Sequence, residues 1–314
     1  MSKQRVLLLG ATGHTGNSIL RALLKDNLAF REVEALVRPS SAEKPEVQKL
    51  KNEPGLKIRV LDIAEASGEE LVKVLTGIDV FISAIDMMGQ LAQLRLVAAA
   101  KQAGVKRFIP CAFITICPPG GIMPMRDAKE QVYQEIWKAQ LPYTIIDVGF
   151  WHQLSFPTLP SGKVDYAFLN TPNMLTDLRD IGPYVALIIK DERTVNKFVC
   201  AYSDVLNQND IFGMMEEMSG EKIERKSVSA SDILTKRDTA SATIATDPTN
   251  VQAHMTLYHA GYLNSKYVRG DNTPEYARYL GYVDAGELYP DFKPIKFRAF
   301  LEELLEGKIE GVPY

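Results

Sequence analysis

The sequence predicts an α/β protein, a doubly wound parallel sheet with a smaller, mainly helical cap, on three observations. Strand-like and helix-like segments alternate through the first half of its 314 residues, the pattern that lays helices on both faces of a parallel sheet. A strand candidate such as Val80-Phe81-Ile82 is apolar throughout, as a strand buried on both faces must be. The first candidate, Val6-Leu7-Leu8-Leu9, runs directly into Gly10-Ala11-Thr12-Gly13-His14-Thr15-Gly16 and then a helix.

That glycine turn is the most informative stretch. Gly10 can take backbone angles closed to other residues, Gly13 lets the main chain approach a ligand without a Cβ, and Gly16 permits close helix-on-sheet packing. The helix from Asn17 to Lys25 carries Ile19, Leu20, Leu23 and Leu24 on its apolar side, and amides freed at its start face an anion. The combination predicts a Rossmann-type, NAD(P)-binding site, with Gly10, Thr12, Gly13, His14, Thr15 and Gly16 about the pyrophosphate. The second strand, Val33 to Val37, ends in Arg38, where an NAD-specific protein places a carboxylate for the ribose hydroxyls. A guanidinium there grips a 2′-phosphate bidentately, so the cofactor is NADPH. Lys44, in the polar loop that follows, is a candidate second cation; the other reading of both Arg38 and Lys44 is an ordinary solvated charge.

A third strand, Ile58 to Leu61, ends in Asp62 and Ile63, which are placed to meet adenine unless they serve as loop cap and core. After a helix through Leu71 to Leu75, the fourth strand, Asp79 to Ile85, closes with the small residues Ser83 and Ala84, across which a dinucleotide can lie. Its helix runs from Met88 to Ala103 and stops at Gly104. The fifth strand, Arg107 to Cys111, enters the Pro/Gly-rich loop Cys117 to Pro124, the kind of loop that borders a ligand crevice. A helix over Asp127 to Gln140 and a strand over Tyr143 to Val148 complete the unit.

Beyond Phe150 the pattern changes. Prolines at 157, 160, 172 and 183 punctuate short segments, Asp180-Ile181-Gly182-Pro183 opens an apolar helix through Ile189, and a strand at Lys197 to Cys200 returns to the main sheet. A helix at Gln208 to Met218 precedes a tail rich in tyrosine, at 258, 262, 267, 276, 279, 282 and 289. The division is residues 1–152 as the NADPH-binding domain, with 180–202 returning to it, and 153–314 as a smaller substrate-binding domain.

Composition excludes several classes. A formal net charge of −3 with interspersed signs leaves no basic footprint for nucleic acid or anionic lipid. The 3 cysteines form no CxxC pair and no zinc cluster with the 4 histidines. No apolar run approaches the roughly 20 residues of a membrane span, and the first is spent as a strand rather than a signal peptide, so a cytoplasmic location is the default. A small molecule is the expected partner, with a homodimer also admitted.

With Leu36-Val37-Arg38, Val105-Lys106-Arg107-Phe108-Ile109-Pro110, Leu141-Pro142-Tyr143-Thr144-Ile145, Asp180-Ile181-Gly182 and Asn196-Lys197 added to the glycine turn, the chain resembles the isoflavone-reductase-like and NmrA-like group of atypical short-chain dehydrogenases over most of its length. The resemblance implies an NADPH-dependent reductase of secondary metabolites, with an active-site lysine at Lys129, and the expected reaction is reduction of a C=C or C=O bond in an aromatic or polyketide-like molecule. Tyr133 shares the Lys129 helix face four residues on, and is a second candidate beside a core role. Ordinary short-chain dehydrogenases carry a tyrosine four residues before the lysine; Met125 stands there. Cys111-Ala112-Phe113 replaces the family's common Ser-Glu-Phe, which makes Cys111 a packing residue beside the nicotinamide and leaves Thr115 to offer a hydroxyl. His152, after the sixth strand, is either a proton shuttle or a packed histidine. Trp151 and the cap tyrosines are expected to wall an apolar pocket. Two rivals stand beside the reductase, a non-catalytic dinucleotide sensor and a non-redox isomerase or cyclase that retains the cofactor.

Overall fold

β1 (Gln4–Leu9), β2 (Phe30–Val37), β3 (Leu56–Val60), β4 (Val80–Ser83) and β5 (Arg107–Ile109) pair in parallel in the order β3-β2-β1-β4-β5, in a computed structural model that describes residues 3–26, 28–86, 89–156, 170–225 and 227–309. β6 (Thr144–Asp147), β9 (Lys197–Cys200) and β11 (Val283–Asp284) form a second parallel ladder. Pro110 has no amide hydrogen and ends β5, so the two ladders join through a short seam. Phe108 bridges Tyr143, the Phe108 amide donates to the Pro142 carbonyl at 2.8 Å, and Phe113 donates to Ile146 at 2.8 Å. Strand order reverses between β1 and β4, and ligands in such sheets bind beyond the strand ends at that point.

Alternate β1 residues serve opposite cores. Val6 and Leu8 pack with Ile19, Leu20 and Leu23 of α1 (His14–Lys25) and with Ile181 and Val185 of α6 (Leu178–Ile188). Leu7 and Leu9 pack with the helices of the other face, α3 (Gly68–Leu75), α4 (Gln93–Ala103) and α5 (Pro124–Lys138). The Asp180-Ile181-Gly182 sequence has a packing reason. A Cβ on Gly182 would sit 2.0 Å from the Ser18 carbonyl oxygen, so α6 lies backbone-to-backbone on α1, and the Gly182 amide donates to Ser18 Oγ at 2.9 Å.

Several boundaries differ from expectation. The polar stretch after Arg38 folds into a 3-10 turn, Pro39–Ser41, and then α2 (Pro45–Lys51), which starts on a proline whose missing N–H costs nothing there. α4 begins at Gln93, after a 3-10 turn at Gln90–Ala92, and the expected start at Met88 lies outside the described residues, as do prolines 157 and 160.

The cap contains a sheet as well as helices. β7 (Phe150–Trp151), β8 (Asn173–Thr176) and β10 (Asp204–Leu206) order as β10-β8-β7. Below them Leu175, Phe212 of α7 (Gln208–Ser219) and Phe297 and Phe300 of α12 (Phe297–Leu305) form a separate core. α8 (Ala230–Thr246) and α9 (Val251–Leu263) pair as a hairpin, and short helices α10 (Pro274–Tyr279) and α11 (Ala285–Leu288) flank β11. The tyrosine-rich tail is therefore shared. Tyr282 and Tyr289 bond Asp147 and Asp191, beneath and beside the main sheet, while Tyr279 is exposed.

Candidate cofactor and substrate site

The residues that follow β1, β2, β4 and β5 meet at one edge of the sheet. Gly10 is required there twice over. Its φ is +88°, and a Cβ would lie 2.3 Å from the Ala84 carbonyl oxygen. Gly16 packs on the turn itself rather than on the sheet, since its Cβ would meet the Gly10 oxygen at 2.0 Å. Gly13 is different: its φ is −76°, and the nearest atom to an added Cβ is 3.5 Å away. Nothing in the protein demands glycine at 13, so the demand comes from what approaches it. α1 starts at His14 with no side-chain cap and no acidic residue in its first turn, which leaves its first amides to an anion. Thr12, Gly13 and His14 are exposed at this edge, and Thr15 is half-buried. These features fit a dinucleotide pyrophosphate.

Arg38 is exposed at the end of β2, and among the described residues no carboxylate pairs with it. Lys44 is exposed one turn further on, at the start of α2. Asp62 is half-buried and accepts the Ala64 amide at 2.9 Å, a loop cap, and Ile63 is buried in the core with its carbonyl bound to Arg95. Ile63 therefore has no free side-chain surface for adenine. Ser83 is fully buried with no partner for its hydroxyl among the described residues, and the half-buried Ala84 donates its amide to Leu9 at 2.8 Å.

Lys129 comes to the same edge from α5. It is 2% exposed, and Nζ donates to the Cys111 carbonyl at 2.6 Å, to Gln90 Oε1 at 3.2 Å and weakly to Cys111 Sγ at 3.8 Å. All of these acceptors are neutral. Two glutamines that the sequence reading missed hold the arrangement: Gln93 accepts the Cys111 amide at 2.9 Å and donates to Gln90, whose amide donates to the Asp86 carbonyl. Their signal was a polar pair three residues apart in a helix whose other inward positions are apolar. Cys111 is buried, with Sγ 3.2 Å from the Ile85 carbonyl oxygen. Thr115 is buried, and its hydroxyl has no partner among the described residues.

Two candidates lie elsewhere. Tyr133 is in the core, its ring edge-on to Phe198 at 6.0 Å with Arg126 at 5.0 Å, and burial holds its phenol well above the usual tyrosine range. It has no route to a substrate proton. His152 is carried away because Gly149, at φ +68° and with space for a Cβ only 2.5 Å from the Met174 oxygen, turns the chain into the cap sheet. There His152 is fully buried, with Nε2 3.1 Å from Ser203 Oγ and Phe297 edge-on at 5.0 Å, and burial pushes its pKa down to about 4. A neutral ring sealed under α12 shuttles no proton. Trp151 is half-buried and packs against the core cluster that includes α1 and α6. No group of three or more His, Cys, Asp or Glu side chains among the described residues is disposed to hold a metal, and no helix there is long and apolar enough to cross a membrane.

Comparison with known proteins places this geometry in context. The model of the NmrA-like family matches residues 2–301. The chain is 37% identical to asnovolin J 5′,6′-dehydrogenase nvfM of Aspergillus novofumigatus, covering 96% of this chain and 95% of that one. It is 30% identical to phenylcoumaran benzylic ether reductase TP7 of Nicotiana tabacum, covering 93% and 95%. Among solved structures, AtPrR2 with NADP+ and (+)pinoresinol superposes with a TM-score of 0.79 at 25% identity, covering 96% of this chain and 99% of that one. The leucoanthocyanidin reductase–NADPH complex from Vitis vinifera shares the fold, with a TM-score of 0.81 at 23% identity and coverage of 96% and 99%.

Proposed function

Since this chain belongs to the NmrA-like family, we propose that it is an NADPH-dependent oxidoreductase that reduces a C=C or C=O bond of an aromatic or polyketide-like small molecule. The observation that carries the reading is Lys129, buried on neutral acceptors at the strand ends beside the glycine turn. When bound, NADPH supplies the hydride. Gly10, Thr12, Gly13, His14, Thr15 and Gly16 would receive its pyrophosphate, Arg38 its 2′-phosphate with Lys44 nearby, and Asp62, Ala84 and Cys111 would border its path across the sheet, with Ser83 buried beneath as a small residue.

Reduction of an enone or carbonyl builds negative charge on oxygen, and a fixed donor aimed there lowers the barrier. An ammonium has three donors. Lys129 spends two on Cys111 O and Gln90 Oε1, and its third, directed only at a sulfur, is free to stabilise and protonate the developing oxyanion. Gln90 and Gln93 position the amine through Cys111. The relationship to a named dehydrogenase favours a second reading of the same site, hydride removal from a saturated substrate onto NADP+.

Titration with NADPH and NADH, followed by single-turnover oxidation of bound NADPH against aromatic enones, ketones and quinones, tests the proposal. Tight NADPH binding with substrate-dependent oxidation is expected. Binding with no oxidation, and no reduction of NADP+ by the saturated counterparts, would sink it in favour of a sensor.

A further inference from the structure

A second buried lysine has no part in the chemistry above. Lys266 lies in the π-helical run Asn264–Arg269 that continues α9 and is 3% exposed. Its Nζ stands 3.1 Å from the centre of the Phe150 ring and 4.8 Å from that of Tyr267, and no acceptor or carboxylate among the described residues pairs with it. His259 on α9 is lowered by burial and by the nearby amines of Lys266 and Lys236 of α8, and the buried Asp271 carboxylate is taken up by Ser265 and Arg269 of the same run. Aromatic faces return only part of what an ammonium loses on leaving water. Burial accordingly holds the Lys266 amine well below the usual lysine range. π-helical turns are rare and gather at functional sites.

Contacts tie this amine to the crevice. Tyr262 lies one turn before Lys266, with its ring 6.3 Å from Phe150 and its hydroxyl 3.4 Å from Met125 Sδ. Met125 in turn stands one turn before Lys129 on α5. A chain of neighbours therefore runs from Lys129 through the half-buried Met125, Tyr262 and Phe150 to Lys266, with a lysine at each end.

We propose that Lys266 is a specificity-determining residue that binds a carboxylate of the substrate, so that the enzyme takes an acidic aromatic or polyketide-like compound. The inference rests on the reductase reading. A carboxylate arriving on the cap side brings the counter-charge that the fold withholds, and the ion pair favours the protonated form of the amine that burial disfavours.

The test is calorimetric titration of the NADP+-loaded protein with 4-hydroxycinnamate and with its neutral methyl ester, each in two buffers of different ionisation enthalpy. The wild type is expected to bind the acid at least tenfold more tightly than the ester and to show net proton uptake with it. Lys266→Met should lose both the preference and the proton uptake, keep its NADP+ affinity and melt at a higher temperature, while Lys266→Arg keeps the preference. Equal binding of acid and ester by the wild type, or a preference undiminished in Lys266→Met, would overturn the assignment. Failure of NADP+ to bind in the loading step breaks the reductase reading instead, and is read before either probe is added.

Discussion

The floor and the cap of the crevice each bury a lysine, and they do so in opposite ways. Lys129 sits where parallel strands end, so carbonyls and amides with no strand partner surround it, and its amine is hydrogen-bonded to Cys111 and Gln90. Lys266 sits where helices and aromatic rings close over the sheet, and its amine meets π faces only. A sheet edge supplies polar partners by construction, whereas a helical cap satisfies its own backbone and has none to spare. The floor thus holds its amine in one place by hydrogen bonds, whereas among the described residues the cap gives its amine only aromatic faces.

The contrast breaks most sharply at Lys129. Lys129→Met is expected to lower kcat/KM about 10²–10³-fold, with NADPH affinity nearly unchanged, as read by single turnover and equilibrium titration. Full activity would move the chemistry off the floor.

The next largest effect belongs to the seam under the cap. His152 has a folded pKa of about 4, below its unfolded value, so the native state binds fewer protons between pH 6.5 and 4. Its contribution is present at neutral pH and lost as pH falls through that window, by about 3 kcal/mol. Asp180, raised to about 7 chiefly by burial, acts in the opposite direction, favouring the folded state as pH falls. Urea midpoints of wild type and His152→Gln, compared at pH 7 and pH 4.5, isolate the histidine because Asp180 is common to both. An equal loss in the two proteins would refute its role.

Smaller effects sharpen the floor. Arg38→Asp should shift the NADPH-over-NADH preference by about ten- to a hundredfold, the worth of charge-assisted hydrogen bonds to one phosphate. Gly13→Ala should keep the fold, because the protein leaves room for its Cβ, yet weaken NADPH by about tenfold, near 1.4 kcal/mol. Lys44→Ala should alter NADPH affinity by less than about threefold, as befits an exposed cation. A loss as large as that of Arg38→Asp would make Lys44 a full partner.

Most of the floor was legible in the residues. The glycine turn, Arg38 at the end of β2 and the return of Lys197–Cys200 to the sheet follow from local sequence, because strand-turn-helix geometry at a parallel strand end depends on a few neighbouring residues, while Lys129 was singled out by the family resemblance. The role of Gly13 shows through even in its empty surroundings. Gln90 and Gln93 were missed because polar residues on a helix read as its solvated face, and only the fold turns these two inward onto Cys111.

The cap was harder to read for a physical reason. His152 follows β6 directly and so reads as a crevice residue, until the left-handed Gly149 bends the chain beneath α12. Tyr282 looked like a pocket wall and instead donates to the buried Asp147 at 2.7 Å. Lys266 carried no motif at all.

By itself, the sequence determined the sheet and the glycine turn at its edge, since each is written in residues adjacent along the chain. Only the tertiary structure decided which cap residues come together in one place. Phe150, Tyr262 and Lys266 meet there through contacts that span more than a hundred positions, and no local pattern encodes a meeting that depends on how two separately formed cores are packed together.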